Sequence, residues 1–298
     1  MTRRDRLQQP STIANAHTVS SVRRWLCSPP GLHLFVLLVA FVSAWLTPAG
    51  SDAAFAAAAM PTVVLVHGAW ADGSSWSEVI ARLQAKGLRV VSVQNPLNSL
   101  ADDVATARRA IDAQPGPVVL VGHSWGGSVI TQAGAAEKVT ALVYISAFAP
   151  ERGESTNDVQ SSHPPPGYVN LLQVAPSGHL WFPQEELPRW FAQDLPSPNA
   201  AVLAATQIPI HARAFDDKVT EAAWHSKPSW YLVTEQDRMI YPRLQREMAT
   251  RMKAHAVAVP ASHVPFLSMP RETTAIILEA VEHVRGQSAR PSTDKERQ

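Results

Sequence analysis

Residues 118–127 read VVLVGHSWGG. Four apolar residues of strand length run into Gly122-His123-Ser124-Trp125-Gly126, and the stretch that follows, 127–136, is helical in pattern and rich in small residues. A serine flanked by glycines at i−2 and i+2, between a strand and a helix, marks a sharp turn that forces the serine into a strained backbone conformation. Side chains at the glycine positions would collide with the neighbouring strand or helix. The hydroxyl of Ser124 is thereby raised above the end of the sheet. The N–H of Trp125, at the start of the helix, points the same way and is a candidate oxyanion donor.

Outward from this turn, apolar runs alternate with helical periodicity. Strands are expected at 61–68, 88–95, 117–122, 139–146, 229–234 and 255–260. Helices are expected at 77–86, closed by Gly87, at 100–113, at 127–136 and at 273–285. In the helix at 100–113 acidic residues come early and arginines late, as the helix dipole prefers. Buried strands alternating with helices predict an α/β fold, a parallel sheet covered on both faces. One segment breaks the rhythm. From about 150 to 228 no clear strand is legible, prolines are frequent, and Trp181, Phe182, Trp190, Phe191, Phe215 and Trp224 are concentrated there. It is too long for a plain loop and too aromatic for a disordered linker. It reads as a helical cap inserted between two strands, with a helix near 198–207.

A serine hydroxyl is a poor nucleophile without a base, and the base needs an orienting acid. Asp237 follows the strand SWYLVT by three residues, and His263 follows HAVAVP by three. Both sit past the carboxyl ends of strands, on the rim where Ser124 lies, and after the cap in the order serine, acid, histidine. Glu235 is the rival acid, one that stands closer to the strand end. His163, His179, His211 and His225 fall in the cap, and His255 begins a strand at the opposite end of the sheet. The strand at 61–68 ends in His67-Gly68-Ala69-Trp70, where glycine lets the backbone approach a substrate and the N–H of Ala69 is a second oxyanion donor. His67 is expected to hold this loop through hydrogen bonds. Trp70 and Trp76 either wall the pocket or pack beneath it.

The chain has 298 residues, with Lys+Arg 26 against Asp+Glu 25 and a formal net charge of +1. Nothing in this balance marks a nucleic-acid surface, and no metal cluster, cofactor motif or internal repeat is legible. Residues 1–59 combine early arginines, an uncharged apolar run at 32–46 and the small-residue stretch AAFAAAA at 53–59. That order predicts an export signal cleaved near residues 56–59, giving a periplasmic or secreted protein. The apolar run is shorter than the roughly 20 residues of a membrane span, so no stable membrane anchor is expected. A cytoplasmic product would imply a misassigned start. The only cysteine, Cys27, lies before the apolar run. The folded domain, expected at 60–285, then relies on its core and not on disulfides. The polar tail, 286–298, is expected to be disordered.

LVHGAWADGSSW, VGHSWGG, SWYLVTEQDRMI and ASHVPF together resemble the α/β-hydrolase superfamily. More narrowly they resemble the branch of small bacterial esterases, plant methyl esterases and hydroxynitrile lyases. The likeness covers roughly 61–285. It implies a mostly parallel, eight-stranded sheet with a lid over the site, Ser124 as nucleophile, His263 as base, Asp237 as orienting acid, and oxyanion donors at Ala69 and Trp125. It implies a small-molecule ester as substrate and an acyl-serine intermediate. The lyases of this branch carry a lysine after the catalytic histidine and a threonine in the first loop. Here those places hold Val264 and Gly68, which favours ester hydrolysis. A non-catalytic binding protein on this fold would bear a broken triad, and this one is unbroken.

Overall fold

A computed structural model describes residues 60–288 of the chain. The expected export segment, 1–59, and residues 289–298 of the expected tail lie outside the described residues. The first half alternates as its periodicity requires: β1 (Thr62–Val66), α1 (Ser77–Gln84), β2 (Val90–Val93), α2 (Leu100–Asp112), β3 (Val118–His123), α3 (Trp125–Ala133) and β4 (Val139–Ile145). An insertion follows, with α4 (Thr156–Gln160), β5 (Gln173–Val174), β6 (His179–Trp181), α5 (Leu187–Trp190), α6 (Ser197–Thr206) and β7 (Ile210–His211). The alternation resumes with β8 (Ser229–Thr234), α7 (Pro242–Arg251), β9 (His255–Val259), α8 (Pro265–Ser268) and α9 (Pro270–Ser288).

Local chemistry sets the helix limits. The Ser99 hydroxyl accepts the N–H of Asp102 at the start of α2, Asp102 and Asp103 occupy its first turn and Arg109 its last, so cap and charges both favour the helix. Gly87, at φ 77°, lets the chain turn away after α1. The strands pair in the order β2-β1-β3-β4-β8-β9, every neighbouring pair parallel. α1 packs on α9 and α2 on α3, as helices that cover the two faces of a parallel sheet do. Val118, Val119, Leu120 and Val121 of β3 are therefore covered from both sides and 0% exposed. Each contributes about 1.5–3 kcal/mol of burial.

Two expectations need correction. The main sheet has six strands among the described residues, not eight. The other three short strands pair only with one another, as an antiparallel sheet in the order β5-β6-β7. For the same reason the insertion is not purely helical. Strands of two or three residues leave no legible alternation, and β7 reaches β6 from beyond both α5 and α6. The expected helix near 198–207 is present as α6.

The chain runs outward from β1 to β2 and then returns past β1 to β3. The order thus reverses at the β1/β3 boundary, and the crevice outside the carboxyl ends of these two strands is where open α/β sheets bind ligands. Gly68 follows β1 and Ser124 follows β3.

Candidate active site

The turn from β3 into α3 is built around Ser124, whose backbone sits at φ 52°, ψ −122°. Left-handed φ is costly for a residue with a Cβ, so neighbours must impose it. They do so by close packing: a Cβ at Gly126 would lie 2.5 Å from the Val66 carbonyl oxygen, and one at Gly122 would lie 2.6 Å from the carbonyl oxygen of Gly126. Ser124 occupies the N-cap of α3 without making a capping bond, so its hydroxyl is not consumed by the helix. Strain is shared across this rim. Of the five non-glycine residues with positive φ among the described residues, Trp70, Leu97, Ser124 and Ser146 stand just past β1, β2, β3 and β4.

Asp237 and His263 come together, and the His263 ring packs against His123, the residue before the serine. His263 Nδ1 lies 2.8 Å from Asp237 Oδ2, and both side chains are fully buried. Asp237 is a strong acceptor site: its Oδ1 takes the N–H groups of Met239 (2.7 Å) and Ile240 (3.0 Å), and its Oδ2 lies near Gln245 Nε2 (2.8 Å) and Thr234 Oγ1 (3.0 Å). Such a carboxylate stays an acceptor and fixes the proton on Nδ1 of the imidazole. His263 Nε2, the other ring nitrogen, is buried and has no hydrogen-bond partner among the described residues, Ser124 included. Glu235, the rival acid, is exposed and paired with Arg246 on α7.

Two further histidines are neutral and structural. His123 Nε2 donates to the carbonyl of His263 (2.9 Å), its ring 4.7 Å from that of His263. Burial, with His263 alongside, holds its pKa well below the ordinary imidazole value. His67 Nε2 accepts the N–H of Asn95 (2.9 Å), so its Nδ1 carries the proton and donates to the carbonyl of Gly68 (2.9 Å); Asn95 Nδ2 donates back to the His67 carbonyl. Burial lowers the pKa of His67 as well. This is the loop-holding role expected of His67.

The two backbone donors inferred from sequence have no acceptor among the described residues. Ala69 N–H and Trp125 N–H are unbonded, whereas the next residue along, Trp70, donates to Ile208 O at 3.1 Å. The indole of Trp125 points away from the crevice and donates to Asp103 Oδ2 at 2.7 Å. Asp103 is itself 0% exposed, accepts the Leu97 N–H at 2.9 Å, and has its pKa raised by burial to about 6. It ties the rim loop after β2 to the first residue of α3. Asp103, Gln245 and His123 are supports that the motif reading did not include. Asp103 had a signal: it lies on the apolar stripe of α2 with Leu100, Val104, Ala107 and Ile111, where a carboxylate has no reason to be unless it is bonded.

A cavity of about 270 Å³ opens at Ser124 and Ala69, walled by Trp70, Phe148, Tyr168 and Phe215. The two tryptophans left open by sequence now separate. Trp70 lines the cavity and packs edge-on against Phe182 and Tyr168 of the insertion, with ring centres 5.6 and 6.0 Å away. Trp76 lies beneath, fully buried against Phe266 and His123. The insertion also straps down the loops that carry Asp237 and His263. Phe191 packs 4.9 Å from the His263 ring, Asp194 Oδ2 accepts the Ser262 N–H at 2.7 Å, and Gln193 Nε2 donates to Gln236 O at 2.6 Å. Among the described residues no group of three or more acidic, histidine or cysteine side chains is placed to hold a metal, and no helix is long and apolar enough to cross a membrane.

This fold and rim define an α/β-hydrolase. Residues 63–276 match the family model described as the alpha/beta hydrolase family, and the chain belongs to that family. It is 36% identical over 110 residues to a carbendazim hydrolyzing esterase of Nocardioides sp., a match over 32% of this chain and 46% of that one. It is 24% identical over 246 residues to the Arabidopsis thaliana protein named methylesterase 14, covering 72% and 70% of the two chains. A crystal structure of a pyrethroid hydrolase from Sphingobium faniae superposes with a TM-score of 0.66 at 23% identity, covering 74% of this chain and 97% of that one, which shows a shared fold. Its relatives are named as hydrolases and esterases, and ester hydrolysis is the chemistry they support.

Proposed function

We propose that this hydrolase is a serine esterase acting on small to medium carboxylic esters. The observation that carries the reading is the Asp237–His263 hydrogen bond, which leaves a buried, lone-pair-bearing Nε2 beside the strained serine turn. Ser124 Oγ attacks the acyl carbon as His263 Nε2 takes its proton, and the imidazolium that forms is stabilised by Asp237. The N–H groups of Ala69 and Trp125 hold the oxyanion. His263 then returns the proton to the departing alkoxide. Water, activated by the same nitrogen, hydrolyses the acyl-serine. Ser124 Oγ and His263 Nε2 come into hydrogen-bond reach with substrate in place, since catalytic pairs that are loose without substrate commonly close when it binds. The insertion acts as a cap whose aromatic wall selects apolar esters. From the order of charge, apolar run and small residues in 1–59 we further infer that the enzyme works outside the cytoplasm. The decisive experiment is Ser124→Ala assayed on p-nitrophenyl butyrate: a loss on the order of 10⁶ in kcat is expected, with circular dichroism unchanged. Retention of about a tenth of the rate would reject Ser124 as nucleophile.

A further inference from the structure

The insertion divides its side chains between two tasks. Those that wall the cavity come from 156–180 and 212–216. The stretch 189–194, the end of α5 and the turn after it, contributes none of the wall. It reaches instead to the residues that flank Asp237 and His263. Just ahead of Asp237, the carbonyl of Gln236 accepts Gln193 Nε2 at 2.6 Å; just after it, Arg238 Nη1 donates to the carbonyl of Arg189 at 2.7 Å. Just ahead of His263, the N–H of Ser262 donates to Asp194 Oδ2 at 2.7 Å, and the Phe191 ring stands 4.9 Å from the imidazole. Among the described residues the side chains of Gln193 and Asp194 each make this one hydrogen bond. Gln193 Oε1 and Asp194 Oδ1 are shielded from solvent and have no partner.

The bond between His263 Nδ1 and Asp237 Oδ2 spans two separate loops, which follow the neighbouring strands β8 and β9. The loops touch each other through the Gln236 N–H and the Ala261 carbonyl at 3.0 Å. On the sheet side His123 Nε2 holds the carbonyl of His263, and Asp194 meets the same loop from the insertion. Displacing either loop by about 1 Å takes the 2.8 Å bond out of hydrogen-bond range, and misplacement on that scale costs about 10²-fold in rate. An oxygen left buried and unpaired in each of two consecutive side chains is a cost that the turn itself has no reason to carry; their places follow from the loops they hold. Resting on the esterase reading above, we propose that Gln193 and Asp194 are positioning residues: from the insertion they keep the Asp237 and His263 loops in reacting alignment, and they touch no part of the substrate.

The test measures kcat and KM separately on p-nitrophenyl butyrate, with the fold of each variant checked by circular dichroism. Asp194→Ala removes the acceptor, whereas Asp194→Asn keeps an oxygen in place and removes only the charge. Asp194→Ala should lower kcat about ten-fold or more and leave KM within about two-fold, because the residue stands outside the cavity wall. Asp194→Asn should recover most of the lost rate, since its carbonyl oxygen still accepts the Ser262 N–H. Gln193→Met keeps the shape and loses the donor; it should lower kcat about three-fold or more with the same constancy of KM. Its bond lies at the surface, so this variant decides the matter if Asp194→Ala does not fold. Either Asp194→Ala or Gln193→Met, folded and with kcat within about two-fold of wild type, overturns the clamp. So does a loss carried by KM, or an Asp194→Asn as slow as Asp194→Ala, which would assign the effect to charge. All of these leave the esterase standing. Failure of the wild type on p-nitrophenyl butyrate brings down both.

Discussion

Asp237 and Glu235 are carboxylates two residues apart with opposite surroundings. Asp237 accepts from two backbone N–H groups and is bonded to His263, whereas Glu235 is exposed and spends its charge on Arg246. Asp237→Asn is therefore expected to lower kcat by about 10⁴, because it favours the wrong tautomer of the imidazole. Glu235→Gln should stay within about three-fold, an exposed pair being worth little. A larger loss at Glu235 would reverse the assignment. Val264, next in sequence to His263, is fully buried and apolar, so no charge stands there to stabilise departing cyanide. Esterase activity is expected with no release of cyanide from mandelonitrile above the buffer rate; release that disappears in Ser124→Ala would favour a lyase. Asp103 carries a pH signature. Its folded pKa of about 6 lies above the ordinary 3.8 because burial disfavours the anion. Between those values the folded state holds a proton that the unfolded chain has released, so stability falls as pH rises from about 4 to 6. That contribution is on the order of 2–3 kcal/mol. Denaturant titrations at pH 4.5 and 7 should show it as a slope that shrinks in Asp103→Asn; an unchanged slope would assign it elsewhere.

The elements act by bringing their ends close. The β3–α3 turn works because α3 presses on the end of β1 through Gly126, with no room for a methyl group against the Val66 carbonyl. Gly126→Ala must push backbone against backbone. It is expected to cost about 1–3 kcal/mol or more, lowering Tm by several degrees in a thermal melt, and to lower kcat with it. A melt unchanged within error would mean that the turn tolerates a Cβ. α7 serves the site from a distance: Gln245, 0% exposed on its inner face, bonds Asp237, the Ile240 carbonyl and the N–H of Thr234. The helix thus anchors the loop that carries Asp237, a role no sequence motif marked.

The molecule as a whole joins a parallel sheet, whose strand ends carry Ser124, Ala69, Asp237 and His263, to an insertion whose side chains supply the cavity wall. Tyr168, Leu180 and Phe215 come from that insertion and meet Ser124 and Ala69 across the crevice. For the full chain, the expected outcome is a mature protein recovered outside the cytoplasm, with an amino terminus near residues 56–59 by sequencing. A full-length cytoplasmic product would remove the export reading.

The α/β class, the strand-end positions of Ser124, Asp237, His263 and Ala69, and their order were legible from residues alone. Periodicity and glycine spacing are local properties, and a strand followed by a sharp turn can point its next side chain only one way. The eight-strand expectation came from resemblance and not from such a pattern, and the six-stranded sheet replaced it. The three-stranded sheet of the insertion was invisible because its strands are too short to show a period. The bonding of Asp237, the separation of Trp70 from Trp76 and the burial of Asp103 all depend on which distant segment packs against each residue. That is a long-range property: the partners of Asp103 come from the β2–α2 loop and α3, and those of Asp237 from β8, α7 and the loop after β9. No local pattern records such pairings, because they exist only once the sheet has closed over its core.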